Sequence, residues 1–168
     1  RNCDAQIIIN RGGARSSKSY SLAQLIIEWF FTIPRVKILI LRKTGPALRT
    51  SVKPLIYEIF DLYNLRNRTT EVKSDNNIWS PVKGMIHQSG LDDPAKIKSS
   101  DWNVIWCEEG DQFTYEDFIN LKLRLSAPTY QDFRNKIILS FNPVDEFSWI
   151  KTKLLENKSE DTTEIVST

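Results

Sequence analysis

Short apolar runs alternate with longer amphipathic stretches along the chain, and each kind keeps its own period. Ile7, Ile8 and Ile9 are contiguous and β-branched, as in a strand covered on both faces, and predict a first strand over 5–10. Leu22, Leu25, Ile26, Trp29 and Phe30 recur at spacings of three and four, which predicts an amphipathic helix ending before Pro34. The same reading predicts strands over 36–41, 104–107 and 136–141, and helices over 48–65, 115–125 and 149–155. Pro54 then marks a kink or a start, and Ile165 with Val166 a last short strand. Between 69 and 88 the pieces are short and alternate around Asp75-Asn76-Asn77 and Lys83-Gly84, the pattern of a β-meander insertion. Strands alternating with helices indicate an α/β fold around a mostly parallel sheet flanked by helices.

Composition narrows this without changing it. With 168 residues, 40% hydrophobic and 26% charged, the chain suits one packed domain and excludes disordered and fibrous classes. No apolar run approaches the ~20 residues needed to cross a bilayer, so no membrane partner is expected. Cys107 lies in an apolar strand and is a poor partner for Cys3, which fits a reducing cytoplasm. A net charge of +2 is too small to announce a nucleic-acid surface. The opening Arg-Asn-Cys-Asp has neither an initiating Met nor a signal core, so residues 1–168 read as one domain excised from a longer protein.

The candidate chemistry sits in the turns that follow strands. Gly12-Gly13-Ala14-Arg15-Ser16-Ser17-Lys18-Ser19 joins the first strand to the first helix and matches G-x-x-x-x-G-K-[ST], with Ser17 replacing the second glycine. In such a loop the backbone N–H groups and the helix N-terminus cradle phosphates. Lys18 then reaches the β- and γ-phosphates of ATP, and the Ser19 hydroxyl ligates Mg2+. The run Val104-Ile105-Trp106-Cys107-Glu108-Glu109 is an apolar strand ending in two carboxylates, the form of a Walker B element. Because side chains alternate along a strand, Glu108 is assigned to the metal and Glu109 to the attacking water. Alone, the pair reads equally well as a solvated acidic loop. Beside a phosphate loop at the carboxyl ends of parallel strands, it reads as a site.

Three further features carry less weight. Ser140-Phe141-Asn142-Pro143 ends the fourth apolar strand, where the Asn142 amide can sense the γ-phosphate or place the water. Gln6, or residues upstream of it, is the candidate adenine contact. His87, the single histidine, reads as a surface or meander residue rather than a ligand, and Arg42-Lys43 as a solvated basic turn. Trp29 and Trp106 read as core, with Trp79, Trp102 and Trp149 open.

In this order the motifs resemble the large terminase subunits of tailed bacteriophages, in particular the prophage-like and SPP1-like group. The likeness covers nearly the whole chain. It rests on the phosphate loop, Leu41-Arg42-Lys43-Thr44 with Leu48-Arg49-Thr50-Ser51-Val52, Gly90-Leu91-Asp92-Asp93-Pro94 with Lys96-Ile97-Lys98, Trp106-Cys107-Glu108-Glu109, Phe118 through Leu125, and Ser140-Phe141-Asn142-Pro143. The resemblance implies a P-loop NTPase of the additional-strand, catalytic-glutamate type, an ATPase that pumps double-stranded DNA into a procapsid, with Asn142 in its coupling motif. It implies a portal protein, a small terminase subunit and copies of the chain in a ring as partners in the host cell cytoplasm. A nuclease domain beyond Thr168 is implied too. Members often carry Gly-Gly-Arg-Gly-Ser in the loop; here Ala14 precedes Arg15, to which the resemblance carries a phosphate-sensing role. Members also complete their sites with an arginine from a neighbouring subunit. Arg124 is the candidate donor, its alternative being a solvated helix arginine. Two other readings stay open at this point: a helicase or recombinase-type P-loop ATPase, and a nucleotide-binding switch with little turnover. Glu109 favours turnover, and Asn135-Lys136-Ile137-Ile138 lacks the aspartate of a guanine-reading element.

Overall fold

A computed structural model describes residues 5–13, 17–92, 97, 100–142, 148–157 and 159–167. Eight strands, β1 (Ile7–Gly12), β2 (Lys37–Arg42), β3 (Thr70–Val72), β4 (Asn77–Trp79), β5 (Met85–Gly90), β6 (Val104–Glu108), β7 (Lys136–Phe141) and β8 (Thr162–Ser167), form one sheet in the order β3-β4-β5-β2-β6-β7-β1-β8. From β5 to β8 every neighbouring pair is parallel, and only the β3-β4-β5 meander is antiparallel. All the parallel strands therefore point their carboxyl ends at one edge, and the loops that leave that edge converge.

Both faces of the sheet are covered, which explains the uninterrupted apolar runs. One face carries α1 (Lys18–Thr32), α2 (Gly45–Thr50) and α3 (Val52–Leu62), whose Ile26, Phe30, Ile56 and Phe60 pack on Ile8, Ile40, Trp106 and Ile138. The other carries α4 (Tyr115–Lys122) and a π-helical turn, Ile150–Leu155, over Ile9, Leu41, Cys107 and Leu139. Cys107 is a free thiol, and burial pushes its pKa far above the ordinary value. Among the described residues no helix is long and apolar enough to cross a membrane.

Four expectations need correction. The helix expected over 48–65 is two helices, because Pro54 has no N–H to give the Thr50 carbonyl and its ring would collide there; the chain breaks at Ser51, and Pro54 sits in the first turn of α3. The meander is not a separate insertion, since its last strand, β5, pairs in parallel with β2 and extends the main sheet. His87 is buried rather than on the surface: its Nδ1 meets Asn77 Oδ1 at 2.7 Å and its ring stacks on Trp102. Arg42 is buried too, as the last residue of β2. Of the tryptophans, Trp106 and Trp102 are core, Trp29 and Trp149 are partly buried against it, and Trp79 is exposed.

Gly90 ends β5 where the backbone of Thr44 and Gly45 crosses it. A Cβ there would lie 2.7 Å from the Thr44 carbonyl carbon, so the turn into α2 depends on the missing side chain.

Candidate functional site

The loop after β1 meets the start of α1, and the meeting point has the electrostatics of an anion site. α1 has no side-chain cap and no acidic residue in its first turn, so no carboxylate of that turn offsets the positive end of the helix. Ser17, at the position of the motif's second glycine, adopts the left-handed conformation with φ 56° and ψ 10°. Glycine reaches that region freely, while serine gives up about 1 kcal/mol. Lys18 Nζ donates to the carbonyl oxygens of Gly12 (2.9 Å) and Gly13 (3.1 Å) and to Asn142 Oδ1 (2.8 Å), tying the loop to the end of β7. Ala14, Arg15 and Ser16 lie outside the described residues, as do Cys3, Pro143, Asp93, Pro94, Lys96 and Lys98.

Strand order brings the carboxylates to this loop. β7 lies between β1 and β6, and register aligns Glu108 with Ser140 and Ser140 with Asn10 across the three strands. Glu108 Oε1 accepts from Ser19 Oγ at 2.5 Å, and its Oε2 accepts from Ser140 Oγ. A hydroxyl and a carboxylate set side by side are hard oxygen donors, the kind Mg2+ takes while keeping water and phosphate oxygens in its other positions. The donor set therefore fits a magnesium ion that arrives with a phosphate ligand. Among the described residues no group of three or more His, Cys, Asp or Glu side chains gathers to form an all-protein cage.

Glu109 follows β6 in the left-handed conformation, with φ 55° and ψ 55°, and this turns it out of the strand's alternation. Its Oε2 accepts from Arg42 Nη2 at 2.5 Å and from Gln112 Nε2 at 2.7 Å. Asp111, two residues on, has its carboxyl pushed above the ordinary value, first by burial and then by the Glu109 charge. Arg42 and Gln112 escape motif reading. Arg42 follows a run of apolar residues like any basic turn, and only the pairing of β2 with β6 shows that its side chain reaches the carboxylates.

Lys18, Ser19, Glu108, Glu109, Ser140 and Asn142 line one cavity of about 380 Å³. A larger cavity of about 440 Å³ lies elsewhere, lined by Lys43, Asp117 and Arg124 among others. There Lys43 Nζ pairs with Asp117 Oδ2 at 2.8 Å, and neither the phosphate loop nor the start of α1 contributes to the lining among the described residues. Arg124 falls in the turn after α4, held by its backbone to Leu121 and Trp102, and does not line its own chain's phosphate-loop cavity. Gln6 is a second residue that the fold separates from that cavity. It precedes β1, at the opposite end of the strand from Gly12, roughly 20 Å away at ~3.3 Å per residue.

A family profile described as "Phage terminase large subunit" matches residues 4–168. The chain belongs to the phage terminase large subunit family. None of the curated proteins matches it. Solved terminases share its fold at low identity. The large terminase of a thermophilic bacteriophage superposes with a TM-score of 0.83 at 18% identity, over 98% of this chain and 41% of that one. The bacteriophage HK97 large terminase gives 0.72 at 12% identity, over 96% of this chain and 35% of that one. The ATPase domain of the Thermus phage P74-26 large terminase gives 0.70 at 10% identity, over 96% and 75%. This terminase chain thus spans well under half the length of the first two. Its fold is that of a P-loop NTPase, with β7 as the strand added between the loop strand and the carboxylate strand.

Proposed function

We propose that this domain binds ATP with Mg2+ and hydrolyses it, and that in the whole terminase subunit hydrolysis drives double-stranded DNA into a procapsid. The observation that carries the reading is the convergence of Lys18, Ser19, Glu108, Glu109 and Asn142 on one cavity at the carboxyl edge of the sheet. Support comes from structural relatives: a large terminase of the same fold is known in complexes with ADP (TM-score 0.80) and ATP-γ-S (0.77), and a phage DNA packaging motor matches at 0.67 over 98% of this chain.

In this mechanism the N-terminus of α1 and Lys18 take the phosphates, Lys18 exchanging its Gly12 and Gly13 carbonyl partners for phosphate oxygens. Mg2+, held through Ser19 and Glu108, would neutralise charge on the β- and γ-oxygens. Glu109, anchored through one oxygen by Arg42 and Gln112, keeps the other to accept a proton from water. Asn142, bonded to Lys18, reports the γ-phosphate to β7. Arg15 is assigned to phosphate sensing and Arg124 to the site of a neighbouring copy in a ring, with a portal protein and a small terminase subunit as further partners. The test is ATP binding and turnover by the chain and by Lys18→Ala. Loss of both with an unchanged melting temperature supports the reading, and unchanged affinity and turnover overturn it.

A further inference from the structure

Behind the cavity runs a buried relay that no phosphate-loop chemistry requires. Trp106 and Glu108 stand two residues apart on β6, and Ser140 is the register partner of Glu108 on β7. The Trp106 indole Nε1–H donates to Ser140 Oγ at 2.8 Å, and Ser140 Oγ donates to Glu108 Oε2. Trp106 is wholly buried and Ser140 is 1% exposed, so water does not compete for these groups.

The direction of the relay follows from what each group can do. An indole N–H only donates, whereas a serine hydroxyl has one proton and two lone pairs. Once a lone pair is taken by Trp106, the single proton is committed to Glu108. The other carboxylate oxygen is met by Ser19, so each oxygen of Glu108 has its own hydroxyl donor and the plane of the carboxylate is set from both sides. Bonds of this kind are stronger in a dry interior and costly when half-made.

We propose that Ser140 is a positioning residue for the magnesium-side carboxylate, its hydroxyl oriented by Trp106. The inference rests on the nucleotide reading above. It predicts a loss in metal affinity that a merely structural strap between β6 and β7 would not give.

The test uses the full chain with ADP, with Mn2+ as a spin probe for the hard-oxygen site. Mn2+ affinity is read by electron paramagnetic resonance, and ADP affinity in EDTA by calorimetry. Ser140→Ala should weaken Mn2+ binding by about 10-fold or more, as loss of an outer-shell partner does, while ADP affinity in EDTA stays within about twofold. Ser140→Thr, which keeps the hydroxyl, should stay within about threefold of the unaltered chain for Mn2+. Trp106→Phe keeps an aromatic ring in the core but loses the N–H together with part of the indole's volume; it should weaken Mn2+ binding in the same direction and supplies the measurement if Ser140→Ala does not fold. Unchanged Mn2+ affinity in the serine or tryptophan variant overturns the proposal, as does an equal loss of ADP affinity with and without metal. An unaltered chain that binds neither ADP nor ATP in the presence of Mg2+ would instead sink the nucleotide reading itself.

Discussion

Arg42 and Glu109 are joined across two strands by a 2.5 Å ion pair in which the arginine side chain is 9% exposed and the carboxylate 40%. The arginine belongs to β2 and the glutamate to the turn after β6, so this carboxylate is held by a strand from which no described residue lines the cavity. A double-mutant cycle of Arg42→Ala and Glu109→Ala, followed by urea unfolding, should show a coupling of about 1 kcal/mol. Additivity within about 0.3 kcal/mol would mean that solvent at the exposed carboxylate cancels the pair.

The two adjacent carboxylates should separate by function. Glu109→Gln keeps the Arg42 contact but cannot take a proton, so ATP affinity should hold while turnover falls by about 10²-fold or more. Glu108→Gln should instead weaken Mg2+-dependent binding. Filter binding with and without EDTA, beside phosphate release, checks both, and the opposite pattern reverses the two roles.

Asp117 links α4 to the end of β2. Burial raises its carboxyl, but the bonds from Lys43 and from the Thr114 backbone N–H, together with the Thr114 hydroxyl and the Lys43 charge, outweigh this and hold it below the ordinary value of 3.8. A depressed folded-state pKa contributes stability above the unfolded value and loses it as pH falls through the folded one. Asp117→Asn should therefore lower stability at pH 7 by about 1 kcal/mol, through the lost ion pair with Lys43 and the lost charge in the capping box. Urea unfolding at pH 7 and pH 3 should show the gap to the parent closing at the acid end; a gap independent of pH would mean the charge is immaterial.

Ser17 departs from the glycine of the motif while keeping a glycine's backbone conformation. Ser17→Gly should leave stability unchanged or raise it by up to about 1 kcal/mol, since relief of the left-handed strain is offset by a freer unfolded chain. Ser17→Val, β-branched at positive φ, should destabilise by more than 1 kcal/mol, on the order expected for a strained backbone site. Thermal melts of the two variants check the ordering, and a stabilised valine variant would show that the loop relaxes to another conformation.

Much of this was legible in the sequence, because the motifs are contiguous and their physics is local. Strand, phosphate loop and helix follow directly in the chain, and Glu108 and Glu109 close an apolar run. What stayed hidden depends on which strand lies beside which. β5 reads as part of a polar meander, yet it pairs with β2 and buries His87 and Gln88. Arg42 reads as a solvated turn until β6 is placed next to β2, and the break at Ser51 needs the Pro54 clash to be traced back to Thr50.

Ser140 and Asn142 stand two residues apart at the end of β7, one bonded to Glu108 and the other to Lys18. The half of the cavity proposed to grip phosphate and the half proposed to hold the metal are thus gauged from a single ruler. Sliding that ruler by one residue would swing both contacts to the wrong side of the sheet together. Neither half can be retuned alone by shifting β7; whatever moves that strand's tip moves the Lys18 and Glu108 contacts in the same stroke.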